Sequence, residues 1–472
     1  MARQASDLIV GSGPTAYAAA LGLVSAGLRP TVIDFGSEPR LAGSGQRGSA
    51  ALADKSDRNS SDPFAYPTEL ITSTPPMALP LSSARGGLST IWGAGILFRS
   101  RLETPELAPV ADGIEASFAA LAASMRLAGG DDRISARFPW PVRVGPVPAS
   151  ARFDALRARA AELRTDRILV GGSRLALDVA GCIRCGSCLT GCPDRLFFSS
   201  DDAFAVLARE GQVDLVTGPV HRIRPDGAGV RVVTPGDVFV SERVYLAAGP
   251  IGTPALLQRS GLVSDTITVR DSAVFYAAAL NSSPARGDEQ EFTASQLMIA
   301  APAPGEGDFV ISVYESNSEF RERLARVLRV PSAVVPFPRQ IRDRINAMIG
   351  SLPMASSGTL KLHFREDRTW VTAHTNPRTR QAARRALVEV REGLRGTGLR
   401  PIVATLITPP PGASYHSGCG LPMGGDDLDW SGRLVAHAAV RVVDASALPA
   451  LWPGSHTFTA MANAHRIASG TA

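Results

Sequence analysis

The chain has 472 residues, 44% hydrophobic and 20% charged, enough apolar content to bury a core several domains wide, which excludes disorder as its overall state. Forty-nine Lys and Arg against 44 Asp and Glu leave a formal charge of +5. The basic residues are scattered among acids, which argues against a nucleic-acid surface. No run approaches the roughly 18 uninterrupted apolar residues of a membrane-spanning helix. Met1–Asp7 leads at once into Leu8-Ile9-Val10, with no succession of charged, apolar and small residues as in a secretory leader, so a cytoplasmic location is expected.

In chain order, residues 7–36 read as strand, tight turn, helix and strand. The helix spans Ala16–Ala26, Gly27 is its C-terminal stop, and Thr31-Val32-Ile33 is the second strand. Residues 40–80 are rich in Ser, Gly, Pro and Asp and form a long excursion. Helices are expected at 113–128 and 150–163. Strands are expected at Val213–Thr217, Val230–Thr234, Val238–Val240, Val244–Ala248, Phe309–Tyr314 and Thr359–Phe364. A helix follows at 379–395 and another at Thr457–Ile467. Two stripes in the middle have helical spacing. Phe320, Leu324, Val327 and Leu328 form one, and Ile341, Ile345, Met348, Ile349 and Leu352 the other, each flanked by Arg. They read as basic amphipathic helices packed on their own protein, with a lid or contact with a membrane surface as the alternatives.

The first strand–turn–helix carries Gly11-Ser12-Gly13-Pro14-Thr15-Ala16, a G-x-G-x-x-A motif. Gly11 permits the sharp turn, Gly13 lets backbone approach a pyrophosphate, and Ala16 lets helix pack on strand. The helix N-terminus then offers free N–H groups to the phosphates. Asp34 closes the second strand, placed to accept hydrogen bonds from ribose hydroxyls. The motif alone does not separate FAD from NAD.

Four of the five cysteines crowd into residues 182–192, and Cys182, Cys185, Cys188 and Cys192 read C-x2-C-x2-C-x3-C-P. This is the spacing of bacterial ferredoxins. Zinc is disfavoured, because structural zinc sites join two knuckles across a longer gap. In two-cluster ferredoxins the fourth cysteine serves the other cluster. Three arrangements are therefore open: Cys192 closes the same cluster, Cys419 supplies a distant ligand, or a three-iron cluster leaves one thiol spare.

Arg85-Gly86-Gly87-Leu88-Ser89-Thr90-Ile91-Trp92-Gly93 resembles the glycine-rich flavin loop of the glucose-methanol-choline (GMC) oxidoreductases. Gly249–Leu262 resembles that family's second signature, with Val263 where the signature has glycine. His416 opens an H-x6-M-G segment, followed by Val442-Val443-Asp444-Ala445-Ser446 and Gly454-Ser455-His456-Thr457-Phe458, as at the family's C-terminus. Cys419-Gly420 departs from the family's usual Gly-Thr.

The resemblance implies an α/β composite: a Rossmann-like FAD domain from residues 1–110, 200–265 and 405–472, a helical segment with the cysteine loop at 111–199, and a substrate domain with a mixed or antiparallel sheet at 266–404. It implies that Gly11, Gly13, Pro14, Ala16 and Asp34 hold the ADP half of FAD. Arg85, Gly86, Gly87, Ser89, Trp92 and Gly93 would lie along the flavin, and Val220 would present backbone to the adenine. Ala248, Gly249, Asp444, Ala445, Thr457 and Phe458 would line the pyrophosphate and ring region. It implies a catalytic pair, His416 and His456, one imidazole taking the hydroxyl proton of an alcohol as hydride leaves for flavin N5. His221, His363, His374, His437 and His465 belong to no such motif.

The cysteine run is similar to one in some flavin-dependent sugar dehydrogenases of the family, where an iron–sulfur cluster relays electrons. That likeness implies Cys182, Cys188 and Cys192 as ligands, with Cys185 completing a 4Fe-4S site in preference to 3Fe-4S. The expected activity is oxidation of an alcohol group of a sugar, amino sugar or polyol, with a protein or quinone as acceptor. The competing readings are a cluster-free FAD oxidase releasing hydrogen peroxide and an electron-transfer flavoprotein subunit.

Overall fold

The computed structural model describes residues 3–36, 66–77, 79–162, 166–186, 188, 192–283, 292–305, 307–315 and 344–470. The apolar run at Leu8–Val10 seeds the first sheet. Arg3–Val10 pairs in parallel with Thr31–Asp34 on one side and Val238–Leu246 on the other. Asp214–Thr217 extends one edge, also in parallel. His437–Val442 extends the other, and Arg433–Leu434 beyond it pairs antiparallel. Leu8, Ile9, Val32, Ile33, Val244 and Leu246 are buried, as strands covered on both faces require. A hairpin, Arg222–Asp226 and Gly229–Val233, hangs from Val238–Leu246.

Val238–Leu246 is one strand where two were expected. Its polar middle is paired rather than turned: Arg243 grips both oxygens of buried Asp7 at 2.7 and 3.0 Å, and the Ser241 hydroxyl donates to the Ser6 carbonyl at 3.1 Å. The helix Pro14–Ser25 packs along the last helix, Thr457–Ala468. The approach is close. A Cβ on Gly22 would lie 2.7 Å from the carbonyl oxygen of His465. Ala111–Ser124 packs on the same last helix, and His465 Nδ1 meets the Ser117 hydroxyl at 3.0 Å.

A second, antiparallel sheet runs Leu399–Ile407, Val274–Asn281, Ile345–Ser351, Val310–Glu315, Leu297–Ala300 and Leu169–Gly172. One face packs Phe275, Ala277, Ile299, Ile311 and Met348 against the helices Ala151–Glu162 and Thr379–Gly393. The other packs Met298, Ala300 and Val310 against Leu97, Ile134 and Phe138. The stripe expected as a helix from Ile341 is corrected here: Ile345–Ser351 is an interior strand. Asn346, Ala347 and Met348 are buried in succession, so the run shows no alternation and mimics a helical stripe. The stripe from Phe320 to Leu328 lies outside the described residues. A third sheet joins Ser417–Gly418, Thr266–Asp271, Thr359–Arg365, Arg368–His374 and Ile71–Ser73. No helix among the described residues is long and apolar enough to cross a membrane. The architecture is the mixed α/β composite expected.

Candidate functional site

The turn after the first strand is forced by glycine. Gly11 has φ +104°, its N–H donates to the Ile33 carbonyl at 2.8 Å, and a Cβ there would meet the Ala247 oxygen at 2.5 Å. Gly13 caps the helix Pro14–Ser25, with Pro14 at its first position and open space where a Cβ would project. The first N–H groups of that helix have no partner within the helix, as at any helix start.

The second glycine loop lies on the first. Gly86 N–H donates to the Ser12 hydroxyl at 2.8 Å, and a Cβ on Gly87 would touch the Gly13 Cα at 3.6 Å. Gly86 and Gly87 both have positive φ. Ser89 ties the loop to Ser200 at 2.8 Å and to the Gly86 carbonyl at 2.7 Å, and Arg85 pairs with buried Asp201. Trp92 donates through Nε1 to the Phe198 carbonyl at 2.8 Å. Gly93 faces the second sheet, where a Cβ would lie 3.9 Å from the Tyr314 hydroxyl.

Asp34 ends its strand half-buried, with Gly36 N–H donating to Oδ1 at 2.8 Å. Burial pushes its carboxyl up to about 6 against the pull of Gly36, Ser12 and Arg85. Val220 is buried just past Asp214–Thr217, the strand beside Asp34.

Fully buried Asp444 ties together the C-terminal part. Its Oδ2 accepts from Gly249 N–H at 2.8 Å and the Thr253 hydroxyl at 2.5 Å, and its Oδ1 from Ser446 N–H at 2.8 Å. Burial raises its carboxyl, opposed by those donors. The helix Gly249–Arg259 thereby starts beside Ala445, and Ala248 caps it. Phe458 is turned away, fully buried against Phe118 with ring centroids 5.1 Å apart; only its backbone is available at the start of the last helix.

His416 and His456 come together across 40 positions of sequence, with ring centroids 5.6 Å apart at 67°. His456 caps the last helix, and the loop after His416 stacks on Ala445–Ala447 through Cys419 N–H to the Ala445 carbonyl at 2.9 Å. The Nδ1 atom of each ring is buried without a hydrogen-bond partner. Burial first, then the positive charge of Arg99, pulls His416 down to about 4. Burial, His416 and Arg99 pull His456 down to about 3. Both imidazoles are neutral near pH 7. Tyr415 and Cys419, on either side of the His416 loop, have φ of +57°, a strained conformation for side-chain-bearing residues.

Sequence reasoning missed what holds this pair. Asp271, buried at the end of its strand, accepts from the Ser414 hydroxyl at 2.5 Å, the Ser417 hydroxyl at 3.0 Å and Gly412 N–H at 3.2 Å, fixing the His416 loop. Ser272 N–H donates to the His416 carbonyl at 2.9 Å. Arg99 donates to the Pro453 carbonyl at 2.5 Å, beside the His456 loop. Neither residue belongs to a local motif, so the sequence carried no signal for them.

The cysteine loop lies apart from this cleft. Cys182, Cys185, Cys188 and Cys192 all line one small pocket, walled by Leu177, Leu196, Phe197 and Phe292. All five thiols of the chain are free, and Cys419 is buried in the core beside the His416 loop instead. Thr293 clamps the loop, accepting from Cys188 N–H at 3.1 Å and donating to the Gly186 carbonyl at 2.9 Å. Burial pushes the Cys188 and Cys192 thiols up. Among the described residues, no group of three or more His, Cys, Asp or Glu is gathered so as to hold a metal ion.

No protein-family model matches the chain, and no curated protein matches it either. Among solved structures, the chain is similar to pyridoxine 4-oxidase from Mesorbium loti, with a TM-score of 0.63 and 19% identity over 99% of each chain. The two share a fold along almost their whole length, and the fold is what this likeness shows.

Proposed function

We propose that the chain is a GMC-type, FAD-dependent enzyme that oxidises an alcohol to a carbonyl. The observation that carries this reading is the pair of buried, unprotonated imidazoles with free Nδ1 atoms beside a glycine-framed cleft. Several features of the glycine loops support a dinucleotide site. Open space lies in front of Gly13 and Gly249, a carboxylate stands at Asp34, and two hydroxyls are buried without partners, Thr459 in the last helix and Ser446 beside Asp444. Gly11, Gly13, Pro14, Ala16, Asp34 and the backbone near Val220 would hold the ADP half. The Arg85–Gly93 loop, Ala248, Gly249, Asp444, Ala445, Thr457 and Phe458 backbone would hold the rest.

When bound, FAD supplies the hydride acceptor. His416 and His456 orient the substrate hydroxyl, and an unprotonated imidazole nitrogen takes its proton, a contribution of about 10²–10⁴ in rate. Asp271 keeps the His416 loop in place while this happens.

The cysteine loop supports an iron–sulfur cluster within the same reading, of the 4Fe-4S type. What supports it is the ferredoxin-like spacing of Cys182, Cys185, Cys188 and Cys192, together with the one pocket that all four line. Electrons would then leave to an external protein or quinone acceptor. The second reading, an oxidase without a cluster, is favoured by one observation: the solved structure of like fold is named an oxidase. The substrate class, whether sugar, amino sugar, polyol or another alcohol, follows from neither.

The test is anaerobic bleaching of the bound flavin by a panel of sugars, amino sugars, polyols and aromatic alcohols. At least one should reduce it in the native protein and none in His416→Ala/His456→Ala with FAD retained. Bleaching by the double variant at the native rate refutes the catalytic pair.

A further inference from the structure

One buried positive charge stands beside the two imidazoles. Arg99 has a fully buried side chain, and its Nη2 donates to the Pro453 carbonyl at 2.5 Å, three residues before His456. Its guanidinium carbon lies 5.8 Å from the Trp452 ring and 5.4 Å from the Phe138 ring. Glu103 approaches its Nη1 at 3.6 Å, but Glu103 already receives Arg137 Nε on both oxygens at 2.9 and 3.0 Å, and Arg137 also pairs with Asp308 at 2.5 Å. Arg99 Nε and Nη1 are left without hydrogen bonds. Burying such donors costs free energy, and an apolar side chain would fill the space more cheaply if packing were its only role.

We propose that Arg99 is a positioning residue of this site: it clamps the Trp452–His456 loop through the Pro453 carbonyl and sets a permanent positive charge beside both imidazoles that favours their neutral form. The consequence for catalysis rests on the alcohol-oxidising reading; the effect on the imidazoles does not. The charges around the pair are few. Arg99 acts on both rings and His416 on His456, while the Ser417 backbone bonds to His456. Behind them stand two carboxylates of opposite influence, Asp271 against Ser414 and Ser417, and Glu106, which accepts from Trp452 Nε1 at 3.1 Å. Farther along the cluster, Arg99 and Arg137 together face Glu103 and Asp308.

The experiment is an NMR titration of the histidine side chains in the cofactor-free protein, with kcat/KM against pH in the FAD-loaded one. In the native protein both imidazoles should titrate well below the ordinary value near 6.5. Arg99→Gln can still donate to Pro453 but carries no charge, and it should raise both by about one unit. The acid limb of kcat/KM should move the same way with KM little changed. Arg99→Lys, titrated below the pKa of its own amine, should stay near the native values. Imidazoles that titrate in Arg99→Gln as in the native protein overturn the proposal. So does a native His416 or His456 titrating at 6.5 or above, a result that needs no variant to fold. If no alcohol reduces the flavin in any form, the functional reading fails while the titration still decides the role of Arg99.

Discussion

Two imidazoles that are buried neutral should make the cofactor-free protein acid-sensitive by a calculable amount. His416 sits at about 4 and His456 at about 3 in the folded chain, against an ordinary 6.5 once unfolded. As pH falls below 6.5 the unfolded chain takes up protons that the folded chain refuses. Stability is therefore full above 6.5 and drains as pH drops toward 4. Each imidazole costs about 2 kcal/mol between pH 7 and pH 5, so the pair costs about 4 kcal/mol. The burial-raised carboxyl of Asp34 works in the opposite sense, but it is common to both proteins when the native chain is compared with His416→Gln/His456→Gln. Urea unfolding followed by tryptophan fluorescence, at pH 7 and pH 5, gives the two differences. The native protein should lose about 4 kcal/mol more than the double variant over that interval. Losses equal within about 1 kcal/mol would falsify the claim that these rings are held neutral by burial.

Three further outcomes follow from the same geometry. Gly11→Ala combines a φ of +104° with a 2.5 Å approach to the Ala247 oxygen, so it should cost about 1–3 kcal/mol and yield protein without flavin absorbance. Asp271→Asn keeps the shape of the carboxylate that holds Ser414, Ser417 and Gly412, yet loosens the His416 loop; stopped-flow flavin reduction should slow up to about 100-fold with FAD content unchanged. Anaerobically purified protein should contain about four irons and as many sulfides per chain, reduced by Cys188→Ser. An iron-free preparation that makes peroxide with alcohol instead selects the oxidase reading.

The part of this architecture written in local sequence is the part built from short-range rules. Leu8–Val10, the Gly11–Ala16 turn and the helix behind it announce themselves because apolar period, turn residue and small helix residues agree. Ile345–Ser351 did not, because a strand buried on successive positions loses its alternation. The telling residue there is Gly350, whose Cβ would fall 2.1 Å from the Phe275 ring, a contact visible only after folding. The imidazoles were legible through their motifs, whereas Asp271 and Arg99 were not. Asp271 reaches Ser414 across 143 positions, and Arg99 reaches Pro453 across 354. No window of sequence holds both ends of either bond.

The clasp between Pro14–Ser25 and Thr457–Ala468, tight enough that Gly22 abuts the His465 carbonyl, joins two segments far apart in sequence. A ribosome releases those partners far apart in time. The helix Pro14–Ser25 has its apolar side uncovered until Thr457–Ala468 emerges, so this packing forms only once both segments have been made. Deleting Thr457–Ala468 should thus unsettle the parallel sheet and its first helix before it touches the antiparallel sheet.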